Sequence, residues 1–373
     1  MKEINDIIAA YKIAVQAGKK TALATVVKVE GSSYRQPGAR MLVSEDGELT
    51  GAISGGCLEG DALRKALLSI NQQQNKLITY DTSNDDDLEF GVQLGCNGIV
   101  HILFEYINDD LVNNPITLLQ QLETERKEAV IVTVFSLIRN TEQPGTILFY
   151  KEGISITPNN TPNQLILEVS NAINNKVSLL KKVAINDIEC EALIQYIAPP
   201  VSLIIAGAGN DVKPVAEFAS VLGWEVTVAD GRATHATTQR FSSVKKVMVV
   251  KPKELVDSIL IDTNTFFVLM THNYKYDLAM LTLLLETDCK YIGILGPKTK
   301  LNRMIEELNS KGIKVTNEQL QRIYGPVGLD IGAETSEEIA LSIIAEIKAV
   351  ISGRKVASLK YKEEKIHTAM PVL

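Results

Sequence analysis

Cys57 follows two glycines in AISGGCLEGD (52–61), where an apolar strand gives way to an amphipathic helix. At the start of a helix, unpaired backbone amides and the helix dipole favour a cysteine's thiolate. Gly55 and Gly56 expose N–H groups in a shape suited to an anion. The cationic loop GSSYRQPGAR (31–40) supplies Arg35 and Arg40, with Ser32 and Ser33 as further donors. If these segments converge, the chemistry is a reactive sulfur beside an anion cradle. Cys96, in LGCNG, also lies among glycines, and two such thiols could ligate a soft metal or carry sulfur. Against this, an unpaired cysteine is commonly a small buried hydrophobe, and Cys190 and Cys289 read that way.

A second constellation lies beyond residue 200. LIIAGAGND places Gly207 and Gly209 between an apolar strand and a helix, the first part of a G-x-G-x-x-G fingerprint whose third position is Val212. Asp230 stands about 20 residues on, where a ribose-binding carboxylate would sit, and Arg232 could touch a phosphate instead. The alternative is that Gly-x-Gly only lets helix and strand pack closely. MTHNY puts His272 just after another strand, and LGPK puts Gly296 and Lys298 after the next. Doubly wound sheets bind ligands at this edge. Equally, His272 could be a hydrogen-bonded structural residue and Lys298 a solvated helix start.

The elements that must position these residues fall into two regimes. Through residue 198 the pattern mixes helices (3–17, 58–70, near 116–127) with strands (21–30, 41–43, 77–80, 99–106, 129–135), predicting an α+β domain. Residues 138–198 are poorly readable, with Pro, Asn and Thr clustered at 157–163 and a weak helix before NAINNK (171–176). The Pro199-Pro200 pair is the best boundary. From 199 to 373 the chain alternates: strands at 202–206, 225–229, 246–250, 265–269 and 290–295 are separated by helices near 211–222, 252–259, 275–286 and 298–310. A last helix starts at Thr335, with Glu338 completing a capping box. The fold class is therefore α/β overall, an N-terminal α+β domain followed by a Rossmann-like domain with a doubly wound parallel sheet. No internal repeat is visible.

Composition narrows the function classes. The 373 residues carry a net charge of −7, which gives no general attraction to nucleic acid or to an anionic membrane. The four cysteines lie far apart without a C-x-x-C pair, so neither a disulfide framework nor a zinc finger is expected. No apolar run approaches the length of a membrane span, and no signal-peptide core interrupts the charged N-terminus; the expectation is a cytoplasmic protein.

At these residues the chain resembles the XdhC/CoxI family, accessory factors of xanthine dehydrogenase and related molybdenum hydroxylases. The resemblance runs through GSSYRQPGARMLV (31–43), GAISGGCLEGD (51–61) and GCNG (95–98). It continues through GAGNDVKPVAEFASVLGWEVTVADGR (207–232), MTHNYKYD (270–277), GILGPK (293–298) and GPVGLDIGAETSEEIALSIIAEI (325–347). It implies an accessory function rather than a metabolic reaction: binding molybdenum cofactor (molybdopterin), supporting its sulfuration, and helping deliver it to an apo-hydroxylase. A cysteine desulfurase would be the sulfur donor, the hydroxylase the recipient, and a homodimer the assembly. The family cysteine implicated in holding the cofactor matches Cys57. The chain departs from the family pattern at Tyr34, where proline is common, at Asn97, where glycine is common, and at Asn210, where many members have histidine.

Two other classes compete. An NAD(P)- or FAD-dependent oxidoreductase would use Gly207, Gly209 and Asp230 to hold the dinucleotide and His272 as acid/base. A scaffold would dock hydroxylase and desulfurase without binding cofactor.

Overall fold

The structure, a computed structural model, describes residues 1–81, 98–158, 161–185, 187–363, 366 and 370–371. It divides into two compact units, Met1–Pro199 together with Lys362–Leu373, and Pro200–Tyr361.

The first unit holds two five-stranded antiparallel sheets. Sheet A contains β1 (Thr21–Gly31), β2 (Arg40–Ser44), β3 (Leu49–Gly51), β4 (Lys76–Asp81) and β5 (Gly98–Tyr106) in the order β3-β2-β1-β5-β4. Sheet B contains β6 (Ala129–Phe135), β7 (Gly145–Lys151), β8 (Ile154–Ile156), β9 (Leu179–Ile185) and β10 (Ile188–Ile197) in the order β8-β7-β6-β10-β9. The two orders are the same path. In each, three strands lead into a helix, α2 (Glu59–Gln72) or α4 (Asn163–Asn175), and two strands follow. The unit is therefore a duplicated β-β-β-α-β-β motif, where the sequence shows no repeat. Only Gln36-Pro37-Gly38 and Gln143-Pro144-Gly145, at matching hairpins, preserve an echo of it. A side chain on Gly38 would strike Gln195 of the opposite sheet, and one on Gly145 would strike Glu105, a reciprocal contact between the halves.

Alternation along the strands explains the layering. Ala22, Ala24, Val26, Ile102 and Phe104 face Ala62, Ala66 and Ile70 of α2, while Val130, Val132, Val134 and Ile194 face Leu165 and Val169 of α4. The inner faces meet through Leu23, Leu42, Ile131 and Phe149, joined by Ile4, Ile7 and Ile8 of α1 (Lys2–Gln16), and through Val27, Leu103, Phe135 and Leu193. The least readable stretch, 138–198, thus supplies four of the strands of sheet B, short and half-exposed at β8. The helix expected over 116–127 is shorter, α3 (Pro115–Gln120) and one 3-10 turn to Glu123. Leu122 is its last buried apolar residue, and nothing apolar beyond holds a helix to the core.

The second unit is a six-stranded, all-parallel sheet with α-helices on both faces. Its strands are β11 (Ser202–Ala206), β12 (Glu225–Asp230), β13 (Lys246–Val249), β14 (Thr265–Leu269), β15 (Ile292–Ile294) and β16 (Ile323–Tyr324), in the order β13-β12-β11-β14-β15-β16. Numbered within the unit this is 3-2-1-4-5-6, the Rossmann arrangement, with its switch point between β11 and β14. The sixth strand was not expected from the sequence; two residues carry too little pattern to be read. Helix α5 (Val212–Val221) packs on one face with α10 (Ser336–Ser352), while α6 (Pro252–Asp257), α7 (Tyr274–Leu285) and α8 (Lys298–Ser310) pack on the other, and the short α9 (Asn317–Gln321) leads into β16. The Thr335–Glu338 capping box is present.

Candidate functional site

In the first unit, the chain leaves β3 at Gly51 and enters α2 at Glu59, and Ser54 organises the turn between them. Its Oγ accepts the N–H groups of Gly56 and Leu58, both at 3.1 Å, and donates to Glu59 Oε2. Glu59 Oε1 accepts the Ser54 N–H at 2.9 Å. Burial alone would raise the Glu59 carboxyl, but its hydrogen bonds with Ser54 and nearby amides hold it below the ordinary value. These bonds claim the amides on either side of Cys57. Those of Gly55 and Cys57 itself have no partner among the described residues. Gly56, at φ +112°, meets no described atom where a side chain would stand, and Cys57 is half-buried.

The loop 31–40 does converge on this turn, through Tyr34, whose ring lies against Gly55. Gly98, the first described residue after Cys96 and Asn97, packs against the backbone of Ser32. Cys96 itself lies outside the described residues. The two arginines turn elsewhere. Arg40 is 2% exposed; its Nη1 donates to Gly38 O at 2.9 Å. Burial pushes its pKa down to about 10 against the pull of Glu105 and Glu3. Arg35 is ion-paired with Glu3 of α1, and its Nε is buried with no hydrogen-bond partner among the described residues. Arg35 thus ties the loop to α1, and Arg40 of β2 donates its backbone N–H to Glu3 at 3.2 Å. Among the described residues, what the turn offers is a soft thiol and two amides without partners. Cys190 and Cys289 are buried, with thiols pushed up by burial, Cys289 to about 11.

In the second unit, the turn after β11 is built around its glycines. Gly207 takes φ +132°, and a side chain there would run into the carbonyl of Met270. Asp230 is 3% exposed and committed to this turn: Oδ2 accepts the Ala208 N–H at 2.9 Å, and Arg232 donates to both oxygens, Nε at 3.0 Å and Nη2 at 2.8 Å. Burial raises its carboxyl, but these bonds win and hold it below the ordinary range. Arg240 fastens the other side, donating to Ala208 O and to Asn210 Oδ1, both at 2.9 Å. His272, at φ +55° and 62% exposed on its side chain, reaches from the β14 turn to place Nε2 2.8 Å from Asp211 Oδ2. Beneath it, buried Asp277 accepts from Thr271 Oγ1 at 2.6 Å and from Lys300 Nζ at 2.7 Å. Lys298 is exposed at the start of α8.

This edge fits a dinucleotide poorly as it stands. A Rossmann pyrophosphate approaches the second glycine of the turn. Here Asp211 Oδ1 lies where a Cβ on Gly209 would clash, so a carboxylate already fills that space. A ribose hydroxyl would have to displace Arg232 from Asp230. Neither Ser54, Glu59, Asp211 nor Arg240 was singled out from the sequence. Ser54 and Glu59 are five residues apart, outside the usual capping-box spacing, and Arg240 is distant from the glycines it holds.

A separate groove of about 1300 Å³ opens at the other end of α2, roughly 20 Å along the helix from the Cys57 turn. Its walls include residues 76–79, 136–144 and Thr146. Buried Glu105 lies on its floor, accepting from the Thr146 N–H and hydroxyl at 2.6 and 2.9 Å, and burial keeps its carboxyl above the ordinary value. No sequence motif marked it.

Comparison with known proteins bears on both units. Residues 14–81 match the XdhC and CoxI family, and residues 203–347 match the XdhC Rossmann domain. The chain is 30% identical over 329 residues to a probable xanthine dehydrogenase subunit from Bacillus subtilis (strain 168), covering 88% of this chain and 92% of that protein. It is 23% identical over 337 residues to the molybdenum cofactor insertion chaperone PaoD of Escherichia coli (strain K12), covering 90% and 85%. A crystal structure described as a xanthine dehydrogenase from Bacillus halodurans matches with a TM-score of 0.74 at 30% identity, covering 95% of this chain and 99% of that one.

Proposed function

The chain belongs to the XdhC and CoxI family, and from that premise we propose that it is a maturation factor that carries molybdenum cofactor to a xanthine dehydrogenase-like apo-hydroxylase. The observation that carries this reading is the Cys57 turn: a half-buried cysteine whose own N–H and that of Gly55 have no partner among the described residues, inside the segment matched to the family. The relative named as an insertion chaperone supports the direction of transfer.

In this reading Cys57 holds the molybdenum, because a thiolate suits a soft metal. The N–H groups of Gly55 and Cys57 donate to an anionic oxygen of the cargo, and Gly56 keeps the approach open. The cofactor brings the redox metal and its dithiolene; the chain's part is to hold and shield them. A cysteine desulfurase would supply sulfur while the cofactor is held. Arg35 and Arg40 shape the loop rather than touch the cargo.

The test is anaerobic incubation of the full chain with free molybdenum cofactor, gel filtration, and assay of molybdenum and pterin in the protein peak. Near-stoichiometric co-elution that falls in a folded Cys57→Ala variant is expected. Equal retention by that variant would remove Cys57 from the role, and no co-elution at all would remove the carrier reading. The name of the Bacillus subtilis relative favours a second reading, a lasting component of the hydroxylase. A carrier is absent from the purified mature hydroxylase, whereas a lasting component co-purifies with it.

A further inference from the structure

Tyr34 is a large ring that the loop 31–40 leaves on the surface. It is 67% exposed, joins none of the apolar clusters of its unit, and its hydroxyl has no partner among the described residues. The ring nevertheless has a fixed seat. A Cβ on Gly55 would stand 3.3 Å from Tyr34 Cγ and 3.5 and 3.6 Å from its two Cδ atoms. Distances so nearly equal put Gly55 against the face of the ring, not its edge. One face therefore rests on the Cys57 turn, and the described residues leave the other uncovered.

The backbone on either side of the ring is held. Arg35, next in the chain, is ion-paired with Glu3 of α1, and Gln36 Nε2 donates to the carbonyl of Ser33 at 3.4 Å. The Gly38 N–H donates to Val26 O at 2.8 Å and fastens the end of the loop to β1. Gly55 is two residues from Cys57, so their Cα atoms are at most about 7 Å apart. Within that short reach lie a thiol, amides without partners among the described residues, and a flat aromatic surface already in place. An aromatic face held in position stacks a planar ring at little ordering cost.

We propose that Tyr34 binds the pterin ring of the cargo, stacking on it with the face turned away from Gly55 while Cys57 holds the metal. This role rests on the carrier reading above and adds the ligand class of the site: a planar heteroaromatic joined to a soft metal, not the metal or its oxyanion alone. In molybdenum cofactor one further ring separates the pterin from the dithiolene that grips the metal. The two ends are thus a short, rigid distance apart, and the protein presents a stacking face and a thiol at a similarly short separation. Removing an exposed aromatic from beneath a stacked heteroaromatic base costs about tenfold in affinity or more.

Two probes are applied to the full chain: neopterin, a metal-free pterin whose fluorescence is quenched on stacking, and molybdenum cofactor in the gel-filtration assay. Neopterin should be quenched with a dissociation constant of about 0.1–1 mM. That affinity should be unchanged in Cys57→Ala and in Tyr34→Phe, and at least about tenfold weaker in Tyr34→Ala. Cofactor retention should fall in Tyr34→Ala and hold in Tyr34→Phe, with urea unfolding of both variants matching the parent. No quenching up to about 5 mM neopterin, equal quenching in Tyr34→Ala, or a loss in Tyr34→Phe as large as in Tyr34→Ala would each overturn the proposal. The two readings fail separately. Tyr34-dependent quenching without cofactor co-elution removes the carrier and keeps Tyr34 as a pterin-binding residue; co-elution undiminished in Tyr34→Ala removes Tyr34 and keeps the carrier.

Discussion

Glu59 grips Ser54 at both of its donors, taking the Ser54 N–H on one carboxylate oxygen and the Ser54 hydroxyl on the other. With its proton so directed, the Ser54 oxygen turns its lone pairs to Gly56 and Leu58, the residues on either side of Cys57. The posture of the candidate thiol is thus set by a pair of residues that need not touch the cargo. Ser54→Ala should cost about 1–2 kcal/mol of stability. It should also lower molybdenum and pterin retention, and Ser54→Thr should restore retention. Retention by Ser54→Ala equal to the parent protein would show that the turn needs no such support.

Thiol reactivity should divide along burial. In a Cys96→Ser background, iodoacetamide should label Cys57 in the native protein, and label Cys190 and Cys289 only after unfolding. Peptide mass spectrometry reads the sites directly; native labelling of Cys289 ahead of Cys57 would contradict the arrangement.

Arg40 and Arg35 should separate cleanly. Arg40 is buried with Glu3 and Glu105 as its nearby charges, so Arg40→Met should destabilise the protein by about 3 kcal/mol. Arg35→Ala, which breaks a partly exposed ion pair, should cost about 1 kcal/mol or less. Neither should abolish cofactor retention while the chain stays folded. Urea unfolding and the retention assay check the two halves of this expectation.

The pH dependence of the second unit should carry the signature of Asp230. Its folded carboxyl titrates below the ordinary 3.8. Its contribution is therefore fully present above that value and is lost as pH falls through the lower folded one. Asp230→Asn should cost about 2 kcal/mol at neutral pH. The difference between parent and variant should shrink as the pH falls below about 4. Thermal unfolding at a series of pH values tests this; a difference that grows on acidification would reverse the assignment.

Asp211 should govern whether the Rossmann edge accepts a dinucleotide. Calorimetric titration with NAD⁺ should show weak or no binding to the parent chain. Asp211→Gly, which empties the space over Gly209 and removes the negative charge, should bind at least about tenfold more tightly. Micromolar binding by the parent chain would mean that Asp211 moves aside without difficulty. Gly207→Ala should be the more damaging glycine change, because its side chain would meet a fixed backbone carbonyl, whereas Gly209→Ala meets only the movable end of Asp211.

Much of this was legible in the sequence for identifiable reasons. Parallel strands buried on both faces, such as Leu203–Ile205 and Phe266–Leu269, read as continuous apolar runs, and the helices between them carry clear amphipathic stripes. Gly207 stood out because a tight βα turn against a neighbouring strand demands glycine. Cys57 stood out because few residue types follow Gly-Gly into a helix with chemistry to offer. The second half of the first unit was less legible. Its strands are short, β8 alternates around half-exposed residues, and charged Lys181 and Lys182 interrupt β9.

By itself, the sequence determined the local events: which segments become helix or strand, where the chain must turn on glycine, and which thiol lies in such a turn. Those depend on residue type and spacing over a few positions. Tertiary structure alone decided that the first unit is a duplication, that Arg40 is buried near Glu3 and Glu105, and that Asp211 fills the space over Gly209. Each of these depends on pairs far apart in the chain, such as Gly38 with Gln195 or Asp211 with His272. Hydrogen bonding and burial are set by what arrives in space, and no local pattern records the identity of a partner that folding brings from a distant segment.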